Sequence, residues 1–227
     1  MPTLPFQLHT LDAPRQAQAR IDILVIAGWT GRDSAAVEAH VRELEAIGVP
    51  RPRATPLFYR VSAELLTQAD EICVLGAESS GEVEAVIVAS AGSLWVGVGS
   101  DHTDRRLERL DVPRAKQCCA KAIGRELWRF DDVEPHWDEL RLRSYVHVPE
   151  GRMLYQEGPL AALLAPRGLV SRYATEGLPQ GTALFCGTLP VHGVVRRASR
   201  FEMELIDPVR GRTLRHAYTV QELPIAE

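Results

Sequence analysis

GEVEAVIVASAGSLWVGVGSDHTDR, residues 81–105, holds two short runs rich in β-branched and small residues, VEAVIVA and SLWVGVG. Each is bounded by Gly or Ser and is too short for a helix of ordinary length, so both read as strands. Working outward, EICVLG at 71–76 and RIDILVIA at 20–27 have the same character, as do TALFCGTL at 182–189, FEMELID at 201–207 and TLRHAYTV at 213–220. One segment differs. After Gly28-Trp29-Thr30-Gly31, the N-cap types Asp33 and Ser34 precede Val37, Val41, Leu44 and Ile47 at helical spacing, and Gly48 with Pro50 closes the run. Residues 49–56 carry three prolines and read as a loop. Two shorter helices are expected at 104–110 and 158–164. The pattern is that of an α+β, β-rich chain. Residues 1–70 form a strand–helix segment and 71–227 a β-rich body, joined as one compact unit.

Composition narrows the function. The 227 residues carry a net charge of −4, so no basic field points to nucleic acid. No apolar run approaches the length of a membrane span, and residues 1–12 lack a basic stretch followed by an apolar one, so a cytoplasmic location is expected. Cys73, Cys118, Cys119 and Cys186 show no CxxC or zinc spacing and read as reduced thiols. GxGxxG, HExxH and GxSxG are all missing, which argues against a dinucleotide enzyme, a zinc hydrolase and a serine hydrolase.

The chemistry-bearing residues lie in the opening stretch. Glu82 and Glu84, two apart at the start of a strand, project from one face. Side-by-side carboxylates repel unless a cation or proton sits between them, and an oxygen-only set suits Mg²⁺, Mn²⁺ or Ca²⁺. A solvated strand face is the plain alternative. The second strand ends in Ser100-Asp101-His102-Thr103-Asp104-Arg105, where Asp101 offers a third carboxylate and Asp104 a helix cap. His40 and Glu43, three apart on the helix, are neighbours; they are either an exposed pair or a dyad able to take a proton from water.

In this order the residues resemble the fumarylacetoacetate hydrolase superfamily. There, an ExE strand and a segment like NDxSxRD supply metal ligands; here stand Glu82-Val83-Glu84 and Ser100 to Arg105. A Lys precedes a segment like GPWxVTxDEVPDP, as Lys116 precedes GRELWRFDDVEPHWDEL. Gln156 and then Leu178-Pro179-Gln180-Gly181 and Phe185-Cys186-Gly187-Thr188-Leu189-Pro190 resemble the family's Gln, LxPGD and TGTP. His40 to Glu43 resembles HxxE, and Pro56 to Arg60 resembles PxxFxK. The likeness runs from about Gly28 to Tyr218. It departs in a shortened span between Glu84 and Asp101, in Arg60 where Lys is usual, and in one extra residue before Pro190.

The resemblance implies a fumarylacetoacetate hydrolase-like mixed β-sandwich roll with an N-terminal helical element. It implies Mg²⁺ (or Mn²⁺) held by Glu82, Glu84 and Asp101, and a small 2-oxo acid or 1,3-dicarbonyl substrate bound by Arg60, Gln156 and Thr188. His40, Glu43 and Lys116 take the catalytic roles. The implied reaction is hydrolysis of a C–C bond through a metal-stabilised enolate. Decarboxylase or hydratase chemistry on the same site, and a non-enzymatic binding module that keeps the fold, are the rivals. A homodimer is expected from the same likeness, with no nucleic-acid or membrane partner.

Overall fold

The computed structural model describes residues 1–11, 13–46 and 51–226, and within the helix the side chains of His40, Glu43 and Leu44 lie outside the described residues. From the N-terminus come β1 (Thr3–His9), β2 (Arg15–Arg20), β3 (Ile23–Gly28), α1 (Ser34–Ala46), β4 (Leu57–Val61), β5 (Leu66–Thr67), β6 (Glu71–Leu75) and β7 (Ser79–Ser80). The middle of the chain forms β8 (Val83–Ser90), β9 (Ser93–Asp101), β10 (Thr103–Asp104), α2 (Arg105–Glu108), α3 (Val112–Gln117), β11 (Lys121–Ile123), β12 (Glu126–Arg129) and α4 (Phe130–Val133). The last third forms β13 (Arg141–Val148), β14 (Gly151–Pro159), α5 (Pro166–Tyr173), β15 (Thr182–Thr188), β16 (Arg200–Asp207) and β17 (Arg212–Leu223).

Two sheets carry the fold. The ten-stranded sheet runs β2-β1-β12-β9-β8-β15-β3-β4, with β11 joining β9 to β5, and the five-stranded sheet runs β14-β13-β16-β17-β6. Val25, Val83, Ile87 and Val98 of the larger sheet pack on Leu142, Val146, Met203 and Leu205 of the smaller. The opposite, inner face of the larger sheet buries Phe6, Leu24, Ile26, Val86, Val88 and Phe185 in a second cluster. β1 and β3 stand far apart in the strand order yet share that cluster, so the sheet curls on itself. Covered on both faces, β8 is buried from Val83 to Ala89, which is why its sequence is apolar without alternation. The structure is thus β-rich with few helices and curled sheets, as expected.

The helix starts where the caps placed it. Asp33 accepts the Ala35 and Ala36 N–H groups at 2.9 and 3.2 Å. Its expected closure at Gly48 and Pro50 falls outside the described residues. Asp104 caps α2 by accepting the Leu107 N–H at 2.8 Å. The helix expected at 158–164 is instead the end of β14 and a single 3₁₀ turn, Leu160–Ala162. There Pro159 stays opposite Arg141 in the sheet and the Leu160 N–H bonds the Leu140 carbonyl, so cross-strand pairing overrides the local apolar run. Among the described residues no helix is long and apolar enough to cross a membrane.

Candidate metal centre

The antiparallel register of β8 and β9 sets Glu84 opposite Gly99 and Val83 opposite Ser100. Just before β8, the Glu82 carbonyl accepts the Asp101 N–H at 3.0 Å. Strand alternation then puts Glu84, Gly99 and Asp101 on the inner face. Gly99 leaves room there: a Cβ would stand 2.7 Å from Phe185 Cε1. One carboxylate oxygen from each of Glu82, Glu84 and Asp101 lies within 4.8 Å of the other two. Glu84 and Asp101 are buried, whereas the Glu82 side chain keeps 20% exposure and marks the open side.

Each carboxylate is held from behind. Glu84 Oε2 accepts the Gly187 N–H at 2.6 Å. That donor is presented by a break in the β15 register between Phe185 and Thr188, and Gly187 sits at φ +95°, where a Cβ would collide with Thr30. Asp101 Oδ2 accepts from Lys116 Nζ, and Lys121 Nζ lies 2.9 Å from Oδ1 while donating to the His102 carbonyl at 2.5 Å. Arg105 pairs with Glu82 at 3.1 Å and Glu108 at 2.8 Å, and its Nε donates to Ser80 Oγ at 2.6 Å.

The electrostatics follow from burial and crowding. Burial, then the charges of Asp101 and Glu82, push the Glu84 carboxyl well above the usual range, against Lys116 and the Gly187 N–H. Asp101 is also penalised by burial, but Lys116 and Lys121 outweigh it and hold its carboxyl below the usual range. Burial and then Lys121 and Arg105 push His102 down to about 3, so its ring is neutral. Its nitrogens bond Tyr218 and Ser79, each at 2.9 Å.

This donor set fits a hard divalent cation. It is all carboxylate oxygen. Asp101 Oδ1 is buried without a hydrogen bond, since Lys121 stands at ion-pair distance but out of line. Burial and two neighbouring carboxylates disfavour the charged form of Glu84, and a cation beside it would offset them.

The other expected residues fall in three places. His40 and Glu43 are on α1, and their side chains lie outside the described residues. Lys116, on α3, lies among the carboxylates, 3.9 Å from Glu82 Oε2. Arg60 does not join them. Phe58 packs on Tyr173 and Arg60 donates to the Tyr173 hydroxyl at 3.2 Å, whereas Tyr59, on the other face of β4, lies below Lys116.

Gln156 and Thr188, expected to contact substrate, are joined in a brace. Gln156 is fully buried. Its amide donates to Thr188 Oγ1 at 2.7 Å and the Leu189 carbonyl at 2.6 Å, and its oxygen accepts from the Val83 N–H and Ser144 hydroxyl, both at 3.1 Å. Thr188 Oγ1 donates in turn to the Val83 carbonyl at 2.8 Å. The amide has no capacity left for a ligand. The brace ties β14, β15 and β8 together directly behind Glu82 and Glu84.

Sequence reasoning missed Lys121, Tyr59 and Glu108, and gave Arg105 no role. For Lys121 a signal existed: a lone lysine inside the small apolar run Cys118-Cys119-Ala120-Lys121-Ala122-Ile123. The other three depend on long-range pairing.

A family described as protein of unknown function (DUF2848) matches residues 27–218. No curated protein matches the sequence. Several solved structures share the fold. A fumarylpyruvate hydrolase from Pseudomonas aeruginosa, in complex with Mn²⁺ and pyruvate, has a TM-score of 0.62 at 19% identity, covering 99% of this chain and 98% of that one. A 2-keto-3-deoxy-D-arabinonate dehydratase complexed with magnesium and 2,5-dioxopentanoate has a TM-score of 0.64 at 15% identity, covering 95% and 78%. A candidate fumarylacetoacetate isomerase/hydrolase from Oleispira antarctica has a TM-score of 0.64 at 19% identity, covering 95% and 99%. The expected fumarylacetoacetate hydrolase-type fold is therefore the one observed.

Proposed function

Because the chain belongs to the family described as protein of unknown function (DUF2848), we propose its function from the site: a divalent-cation-dependent enzyme acting on a small 2-oxo acid or 1,3-dicarbonyl compound. The observation that carries this reading is the inward convergence of Glu82, Glu84 and Asp101, two of them buried. Mg²⁺ or Mn²⁺ held there would supply Lewis-acid polarisation of substrate oxygens. The solved relatives with Mg²⁺ or Mn²⁺ and oxo compounds bound support it.

The chain's own residues supply the rest. The Gly187 N–H and Lys121 fix the orientations of Glu84 and Asp101. Arg105 orients Glu82 at the open side, where substrate enters. Lys116, once released from Asp101, offers an ammonium to a substrate carboxylate or carbonyl oxygen. His40 with Glu43 would take a proton from water, which makes C–C hydrolysis the finer reading. The likeness to a dehydratase supports a second reading, elimination or decarboxylation at the same site, which needs no water activated by that dyad.

A panel of acylpyruvates, 2-oxo acids and sugar-derived 2-keto acids, assayed with Mg²⁺ and Mn²⁺, tests this. Turnover that chelator abolishes, and that Glu84→Gln lowers by more than the roughly 100-fold typical of changes one layer outside a metal's ligands, is expected. Turnover unaffected by chelator and by Glu84→Gln would sink it. His40→Ala separates the two finer readings, stopping hydrolysis and sparing elimination.

A further inference from the structure

Lys116 has three neighbours that compete for its ammonium. Nζ donates to Asp101 Oδ2, lies 3.9 Å from Glu82 Oε2 and stands 5.8 Å from the centre of the Tyr59 ring. Asp101 thus faces a lysine with each oxygen, because Lys121 Nζ is 2.9 Å from Oδ1. A divalent cation on the triad takes one of those oxygens, and Oδ1, though without a hydrogen bond, lies within ion-pair reach of Lys121, so a cation at either oxygen meets an ammonium. Lys121 cannot yield: it is fully buried and anchored on the His102 carbonyl. Withdrawing it would strand a charge in the interior. Lys116 has 7% exposure and an aromatic face within reach. Of the two lysines, Lys116 is the one with room to draw back from Asp101.

The Tyr59 ring is held in place to receive it. Tyr59 stands opposite Ile26 in the β3–β4 register and lies over the Gly28 backbone, where a Cβ would come 2.9 Å from its Cε2. Its hydroxyl is hydrogen-bonded by the Trp29 side chain. Trp29 itself holds φ 60°, a left-handed conformation rare for a bulky residue and maintained only where the surroundings impose it.

We propose that Tyr59 is a positioning residue that sets how readily Lys116 surrenders Asp101 to a divalent cation. The ring's quadrupole stabilises the withdrawn ammonium. Without the ring, Lys116 stays on Asp101 and the cation binds more weakly. The inference rests on the metal reading given under Proposed function.

Calorimetric titration of Mn²⁺ into the metal-free protein tests it on five proteins: wild type, Tyr59→Leu, Tyr59→Phe, Lys116→Met and the Tyr59→Leu/Lys116→Met double variant. Tyr59→Leu should weaken Mn²⁺ binding by about 5-fold, the scale of one partly buried cation–π contact. Tyr59→Phe keeps the ring over Gly28 and loses only the hydroxyl's bond to Trp29, so it should stay closer to wild type than to Tyr59→Leu. Lys116→Met should bind more tightly than wild type, and the double variant should match Lys116→Met. The proposal is overturned by Tyr59→Leu that binds like wild type, by Tyr59→Phe as weak as Tyr59→Leu, or by an equal loss in the Lys116→Met background. Thermal unfolding confirms that each variant folds, and Tyr59→Met, which fills the volume without a π face, replaces Tyr59→Leu if needed. Wild type that takes up no Mn²⁺ overturns the metal reading itself and the inference with it, a result distinct from metal binding that ignores Tyr59.

Discussion

The outer face of the five-stranded sheet and the inner rim of the ten-stranded sheet carry the same types of charged side chain to opposite effect. On the outer face each carboxylate meets a guanidinium near solvent: Arg143 with Glu157 at 2.5 Å, Arg152 with Glu202 at 2.8 Å, Arg215 with Glu204 at 2.9 Å. Leu142, Ser144 and Val146 alternate with Arg143 along β13 and face the core, so the pairs lie on the outer side of a packed sheet. On the inner rim, Glu84 and Asp101 are buried beside Glu82, and burial with the two neighbouring carboxylates raises the Glu84 carboxyl well above its usual range despite Lys116. Matched pairs in water signify solubility; crowded like charges out of water signify a site built for something else.

Substitutions at the two faces should therefore differ several-fold in free energy, and the largest effect is expected at Asp101. Asp101→Asn leaves Lys116 and Lys121 buried beside a neutral amide and should cost about 3–5 kcal/mol, read as a shift in urea midpoint. A loss below that of a surface pair would show that the lysines find other partners.

Behind the rim, Gln156→Leu removes the brace and leaves the Val83 N–H and the Leu189 carbonyl without their partner. A loss of about 2–4 kcal/mol is expected from unsatisfied buried groups. If instead stability holds and substrate affinity falls, Gln156 acts on ligand and not on the frame.

Glu84 gives a pH signature. Its carboxyl is raised in the folded state, so the native protein holds the proton that the unfolded chain releases near pH 4.5. Without added cation, the stability it contributes is fully present below that value and is lost as pH rises through the folded value. Glu84→Gln should flatten that decline in thermal melts run from pH 4.5 upward, and Mn²⁺ should flatten it in wild type. Asp101 works in the other sense, its contribution being lost only as pH falls below 3.8, so the two windows do not overlap. An unchanged slope in Glu84→Gln would contradict the burial argument. The smallest effect belongs to the outer face: Arg215→Ala should change stability by less than about 1 kcal/mol, and less still in high salt.

Where a residue's role was set by local pattern, the sequence was readable. β8 and β9 announce themselves as β-branched runs, and Glu82, Glu84 and Asp101 follow from strand parity and a strand end. β1 and β2 were harder, because TLPFQLH contains a proline and RQAQAR is mostly polar, and their burial comes only from pairing at the curled edge of the sheet. RLRSYVHV of β13 alternates cleanly once its buried face is known. Lys121 stands out in the sequence only as a lone lysine in an apolar run, and its place at the site follows from β11 pairing with both β9 and β5. Gln156 has the right motif position for a ligand contact, and only the hydrogen-bond geometry of three strands reveals it as a brace.

The account stands on the claim that Glu82, Glu84 and Asp101 hold one divalent cation. A crystal grown with Mn²⁺ and measured at the manganese absorption edge tests it most directly. The account predicts a single strong anomalous peak between these three side chains, with Lys116 turned from Asp101 toward Tyr59. A map with no peak there, or with manganese bound only elsewhere, would contradict it.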